Sequence, residues 1–191
     1  MRIVIAGLIG GIVLFVWSML AHVVLPIGEM GMKVASNQDV TISTLAAAAD
    51  KGPGVYMIPG MAPEQWQDDA AMQAFVEKYK AAPSAFVVYD PSGNPSMSNM
   101  VPNLVKQFIG DYFIALLAAW IMASGAFSFG TRVAMGAAMG LIAWLSANVP
   151  YWNWYRFPMD FTIGAWLDYG LGLLIASIAM AWWLGRGSKR A

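Results

Sequence analysis

The sequence contains no cysteine among its 191 residues. Disulfides, thiolate-bound metals, iron–sulfur clusters and a cysteine nucleophile are therefore excluded. Histidine occurs once, as His22. One copy of the chain cannot assemble a bis-histidine haem or a histidine-rich metal centre. Charge is scarce: charged residues make up 12% of the chain and sum to a formal net charge of +0. That balance leaves no basic field for nucleic acid and no acidic tail. Catalytic signatures are missing too. There is no G-x-S-x-G, no P-loop, no H-E-x-x-H and no G-x-G-x-x-G. No enzyme, cofactor or metal site is expected, and no nucleic-acid partner.

What the chain has in excess is apolar surface. Hydrophobic residues make up 59% of it, and the mean hydropathy is +0.56. A soluble domain carries about a quarter charged residues, so a lipid bilayer is expected to be part of the solvent. Four apolar runs are long enough to span it: residues 3–25, 108–127, 133–149 and 161–185, the last interrupted only by Asp168. The first is longer than a signal-peptide core and lacks an A-x-A site, so residues 1–25 read as an uncleaved signal anchor.

Residues 26–106 change character, with charges and most of the prolines. Ser36-Asn37-Gln38-Asp39 looks like a capping box that opens a helix to about Asp50, stopped by Gly52-Pro53-Gly54. Residues 55–58 read as a short strand. Pro63 is expected to start a second helix with an apolar face of Trp66, Ala70, Phe75 and Tyr79. Its acids, Glu64, Asp68, Asp69 and Glu77, read as a wet surface. Residues 85–89 form the clearest strand, followed by a turn at 90–95. The pattern suggests a small α+β domain, one β–α–β unit. Residues 107–191 then hold helices two to four and a short tail. A membrane all-α fold follows: a four-transmembrane-helix bundle with this domain inserted between helices 1 and 2. The short connection near residues 128–132 makes the second and third spans antiparallel neighbours.

Basic residues near the span ends set the orientation. Arg2, Arg132, Arg186, Lys189 and Arg190 fall on one side, and Arg156 alone occupies the opposite short loop. The long insert does not vote, because only loops under about 60 residues count. Both termini are thus expected in the cytoplasm of a bacterium, the chain in its inner membrane, and residues 26–106 in the periplasm. Tyr151, Trp152, Trp154 and Tyr155 fit one interfacial aromatic belt, and Trp182 and Trp183 the other.

Small residues recur at helical spacing in each span: Gly7 and Gly11, Gly136 and Gly140, then Gly164, Asp168, Gly172 and Ala176. In the second span Asp111, Ala115, Ala119, Met122 and Ala126 come close to one face. Such stripes let helix backbones approach in lipid. Five polar residues near the outer boundary form a candidate cluster: His22, Asp111, Asn148, Arg156 and Asp168. It reads either as a structural cap, with Asp168 paired to Arg156 or His22, or as a relay or headgroup pocket. Glu29 is expected to turn back toward Lys33 or Arg156. Two functions follow. The first is an accessory or scaffold subunit of a membrane complex, with a membrane-protein partner or a homo-oligomer. The second is a carrier of a lipid, quinone or ion.

Overall fold

The computed structural model describes residues 1–186. Lys189 and Arg190, two of the basic residues used for orientation, lie outside the described residues. In chain order the elements are α1 (Arg2–Val23), α2 (Gln38–Ala48), β1 (Gly54–Ile58), α3 (Asp69–Tyr79), β2 (Ala85–Tyr89), α4 (Val101–Ala123), α5 (Phe129–Tyr155), α6 (Met159–Ala165) and α7 (Leu171–Gly185). A π turn, Trp166–Gly170, joins α6 to α7. The chain is mostly helical and forms two compact units. One holds Met1–Lys33 and the chain from Ser96; the other is Val34–Pro95. Four helices are long and apolar enough to cross a membrane: α1, α4, α5 and the continuous α6–α7 rod, Met159–Gly185.

Glycines decide which helices meet in the first unit. A Cβ on Gly7 would lie 2.9 Å from the Leu116 Cα, and one on Gly11 2.8 Å from the Tyr112 Cα. These two therefore seat α1 directly on the backbone of α4. A side chain on Gly136 would overlap Ser177, and one on Gly140 would lie 3.1 Å from the Gly170 carbonyl oxygen, so α5 sits against the fourth rod. Gly172 meets Trp17, and Gly10 meets Met180 and Ala115. α1 thus packs along both α4 and α7, and α7 along α5. The sequence reading made α4 and α5 close neighbours. They follow one another but touch over only a few residues, because α7 packs against both. The core is built of small and flexible side chains, among them Ala6, Ala115, Ala119, Met122, Ala176 and Met180. Ala126, expected on the same stripe, lies beyond the end of α4.

One end of the bundle is closed by arginines. Arg2 donates from Nη2 to the Leu184 carbonyl at 2.7 Å. Arg132 is buried and donates from Nε to the Met122 carbonyl at 3.0 Å. Each guanidinium satisfies a carbonyl that a helix C-terminus leaves without an intrahelical partner, at the negative end of the helix dipole. At the opposite end the chain leaves α1 and doubles back. The amides of Ile27 and Gly28 donate to the Ala21 carbonyl. Gly31 takes a positive φ of 77°, and a Cβ there would lie 2.6 Å from the Phe161 amide nitrogen. A Cβ on Gly164 would lie 2.8 Å from the Ile27 carbonyl oxygen, so the exit segment rests on α6.

The second unit departs from the sequence reading in three places. The cap of α2 is Asn37, not Ser36; the Asn37 side chain accepts from the Val40 amide at 3.1 Å. A Ser36 box would have needed Glu or Gln at its third position, where the chain has the shorter Asp39. Pro63 opens only a 3-10 turn, Pro63–Gln65. The α3 helix starts at Asp69, after Asp68 accepts from the amides of Ala70 and Ala71, both at 3.0 Å. Trp66 therefore precedes the helix, while Phe75 and Tyr79 stack within it at 5.0 Å. Finally, β1 and β2 pair antiparallel, Gly54 opposite Tyr89 through Ile58 opposite Ala85, and do not form a β–α–β crossover. Parallel strands need both faces covered, and neither strand buries a residue. At the end of β2 the Ser92 hydroxyl and amide both donate to Asp90, which holds its carboxyl below the ordinary carboxylate range. Ala49 alone is buried among residues 34–95.

Candidate functional site

The polar cluster gathers where α1 ends against the fourth rod. Asp168 lies in the π turn with its side chain only 7% exposed. A π turn breaks the regular ladder of carbonyl acceptors, and such turns often mark functional sites. Two indoles supply donors around this one. Trp17 Nε1 donates to the Asp168 carbonyl at 2.9 Å. Trp144 Nε1 donates to the Thr162 carbonyl at 2.8 Å. The Asp168 carboxylate faces His22, with Nε2 to Oδ2 at 3.4 Å. That histidine side chain is 48% exposed, so the pair runs from solvent-accessible imidazole to buried carboxylate. Gly28 lies flat over the ring; a Cβ there would overlap the imidazole.

A small cleft of about 90 Å³ opens beside the pair, lined by His22, Gly28, Met30, Phe161, Asp168 and Tyr169. An apolar cavity of about 150 Å³ holds one benzene. The cleft itself has room for water, a small ion or the polar end of a larger molecule.

Asp111 was expected at the start of its span. It stands ten residues into α4, because the helix begins earlier, at Val101. Pro102 is no obstacle there, since a first-turn residue needs no amide donor. Asp111 is 5% exposed. Its Oδ1 accepts from Gln107 Nε2 at 3.0 Å, and its Oδ2 accepts no hydrogen bond. It lies within electrostatic range of Asp168, and Tyr169 lies within range of both.

The structure does not bring the other two candidates into the cluster. Asn148 is partly buried on α5 and does not line the cleft. Arg156 ends α5 in the left-handed region, at φ 59°, with its side chain exposed. Of the two pairings open to Asp168, the structure makes the one with His22 and not the one with Arg156. The physical reason is that α5 continues through Pro150 to Tyr155 and carries Arg156 past the end of the bundle. Glu29 makes no ion pair with Lys33 or Arg156 among the described residues. No group of three or more His, Cys, Asp or Glu able to hold a metal occurs among the described residues.

Trp17, Trp144, Tyr169 and Gln107 complete the arrangement and escaped the sequence reading. Gln107 carried a usable signal: it precedes Asp111 by four residues, the spacing at which helical amide–carboxylate pairs meet. Replacing Trp17 with phenylalanine keeps an aromatic ring but removes the donor to the Asp168 carbonyl. The carbonyl keeps the Leu171 amide as a donor, so the loss is that of one hydrogen bond, about 1 kcal/mol. A clearly lower detergent-denaturation midpoint is the expected result. An unchanged midpoint would show that the indole contact is dispensable.

Comparison with protein-family models, with curated protein sequences and with solved structures finds no match to this chain.

Proposed function

We propose that this chain is a multi-pass protein of a bacterial inner membrane and acts as an accessory or scaffold subunit of a larger membrane complex. In this reading both termini are cytoplasmic and residues 34–95 are periplasmic. The observation that carries the proposal is the near-absence of buried side chains in that inserted unit. Its strands and both of its helices bury none. Val40, Ile42, Val55, Met57, Val76 and Val88 are all exposed. A lone two-stranded sheet is marginal in water, and contiguous exposed apolar residues mark interaction surfaces. A groove of about 260 Å³, lined by Leu45, Tyr56, Ile58, Val87 and Tyr89 among others, adds to that surface. The unit is built to be finished by another protein.

Native mass spectrometry of the protein, taken from its own host in lipid nanodiscs, tests this. The expected spectrum contains a heteromeric assembly whose mass is not a multiple of this chain. A monomer, or a homo-oligomer with no second polypeptide, would overturn the subunit reading.

A carrier is the second reading, favoured by the His22–Asp168 pair beside its cleft. Its cargo would be a lipid, quinone or ion that presents a small polar group to the cleft. A bound small molecule on a chain free of protein partners, lost in Asp168→Asn without loss of fold, would move the weight to it.

A further inference from the structure

We infer that Arg132 seats the phosphate of an anionic phospholipid at the arginine-closed end of the bundle. The inference rests on the membrane part of the reading above, not on the subunit part.

Arg132 stands in the first turn of α5 and is only 7% exposed. A guanidinium cannot shed its proton to escape burial, and a buried charge needs a counter-charge. The chain supplies none here. No aspartate or glutamate occurs in residues 1–28, 112–159 or 169–191, the stretches that build this end. At about 1.5 Å per residue, Asp111 lies roughly 18 Å along α4 from its Ala123 end. Among the described residues Arg132 makes no ion pair. Its donors are also mostly unspent. Nε donates to the Met122 carbonyl, and the two Nη groups donate to no protein atom. Among the described residues, Asp111 Oδ2 is the one sealed side-chain polar atom without a partner. Both Nη groups therefore keep accessible surface, so a buried stem presents free, charged donors outward.

A planar fork of paired donors matches phosphate oxygens. The first turn of α5 adds the positive end of a helix dipole. The surroundings select a lipid over free phosphate. Trp120, Ile121, Phe129 and Trp182 are exposed at the same ends of α4, α5 and α7. Acyl chains cover such surface while the headgroup rests on the arginine. Trp182 carries the Arg186 guanidinium 3.5 Å from its ring centre, and tryptophans of this kind mark headgroup level. A partner's carboxylate would first have to dock, whereas the bilayer brings anionic phosphates to this height by itself.

The test is native mass spectrometry of the purified chain released from nanodiscs of phosphatidylcholine and phosphatidylglycerol in equal parts. The chain is expected to retain phosphatidylglycerol in preference. Arg132→Gln keeps an amide donor for the Met122 carbonyl but removes the charge. Retention should then fall at least about tenfold, the worth of one charge-assisted pair. Arg132→Lys keeps the charge and should keep most of the retention; a lysine variant as weak as the glutamine one would overturn the inference. Arg186→Gln, at an exposed arginine of the same end, should lower retention far less. Equal losses in the two glutamine variants would mean a diffuse positive field without a seat. Retention without lipid preference, or retention that survives Arg132→Gln, would also overturn the inference. Inorganic phosphate added to phosphatidylcholine nanodiscs should leave no adduct; an adduct lost in Arg132→Gln would make free phosphate the ligand and overturn the lipid. If Arg132→Gln spares the lipid but splits a heteromeric assembly from the host, the guanidinium faces a partner's acid and the inference falls. A chain that enters the nanodiscs without preference sinks the seat alone. One that does not enter sinks the membrane reading.

Discussion

Replacing Gly11 with leucine is expected to separate α1 from α4 and to cost at least about 3 kcal/mol, the upper part of the range for overpacking a close-packed interior. The obstacle explains the size. A Cβ at Gly11 meets the Tyr112 Cα at 2.8 Å and its amide nitrogen at 3.1 Å. A crowded side chain can change rotamer; a helix backbone cannot, so the two rods must part. α1 also packs along α7, so that contact loosens with them. The matched control is Gly130→Leu, where nothing lies within 4 Å and the midpoint should hardly move. Denaturation by sodium dodecyl sulfate in mixed micelles, followed by helicity, reads both. Equal midpoints for Gly11→Leu and the unaltered chain would refute the close α1–α4 contact.

The second large effect concerns the inserted unit. Produced alone, residues 34–95 are expected to show no cooperative thermal transition. Ala49 is the one buried residue in that stretch, and fixing a residue's backbone costs about 1–2 kcal/mol that burial must offset. Local devices hold each piece: the Asn37 and Asp68 caps and the Ser92–Asp90 turn. Each of the two caps contributes about 1 kcal/mol, far short of what ordering the whole unit needs. A gradual loss of ellipticity and poorly dispersed amide resonances are expected. A sharp two-state melt would show that the unit stands without help and would remove the main support for a partner.

Much of this architecture is legible in the residues. Apolar length is a local property, and the four long runs stand as four helices. The strand at Ala85–Tyr89 is equally plain, a β-branched and aromatic run bounded by Pro83 and Asp90. Small-residue spacing announces close approach but not the partner. Nothing in Gly7 or Gly136 says that the first chooses α4 and the second the fourth rod. Arg132 reads as an ordinary loop charge, because only the folded chain brings the Met122 carbonyl to its guanidinium. Asp111 is misplaced in depth because Pro102 looks like a boundary and is a first-turn residue. The His22–Asp168 pair could be named, but as one of two options. The choice against Arg156 depends on how far α5 runs, which Pro150 obscures.

The π turn between α6 and α7 works as a phase shifter. An α-helical residue advances the chain by roughly 100° around the axis, and a π turn takes in one residue more than an α turn. Before the turn, Gly164 is indexed to the exit segment at Ile27 and Met30; after it, Gly172 is indexed to Trp17 and Leu14. A one-residue deletion within Trp166–Gly170 would restore a regular α-helical ladder, yet only one half could keep its alignment. Holding α6 in place would swing Gly172, Ala176 and Met180 out of the core by about that 100°. The fourth rod is therefore two separately indexed helices sharing one axis, and Asp168 sits in the coupling between them.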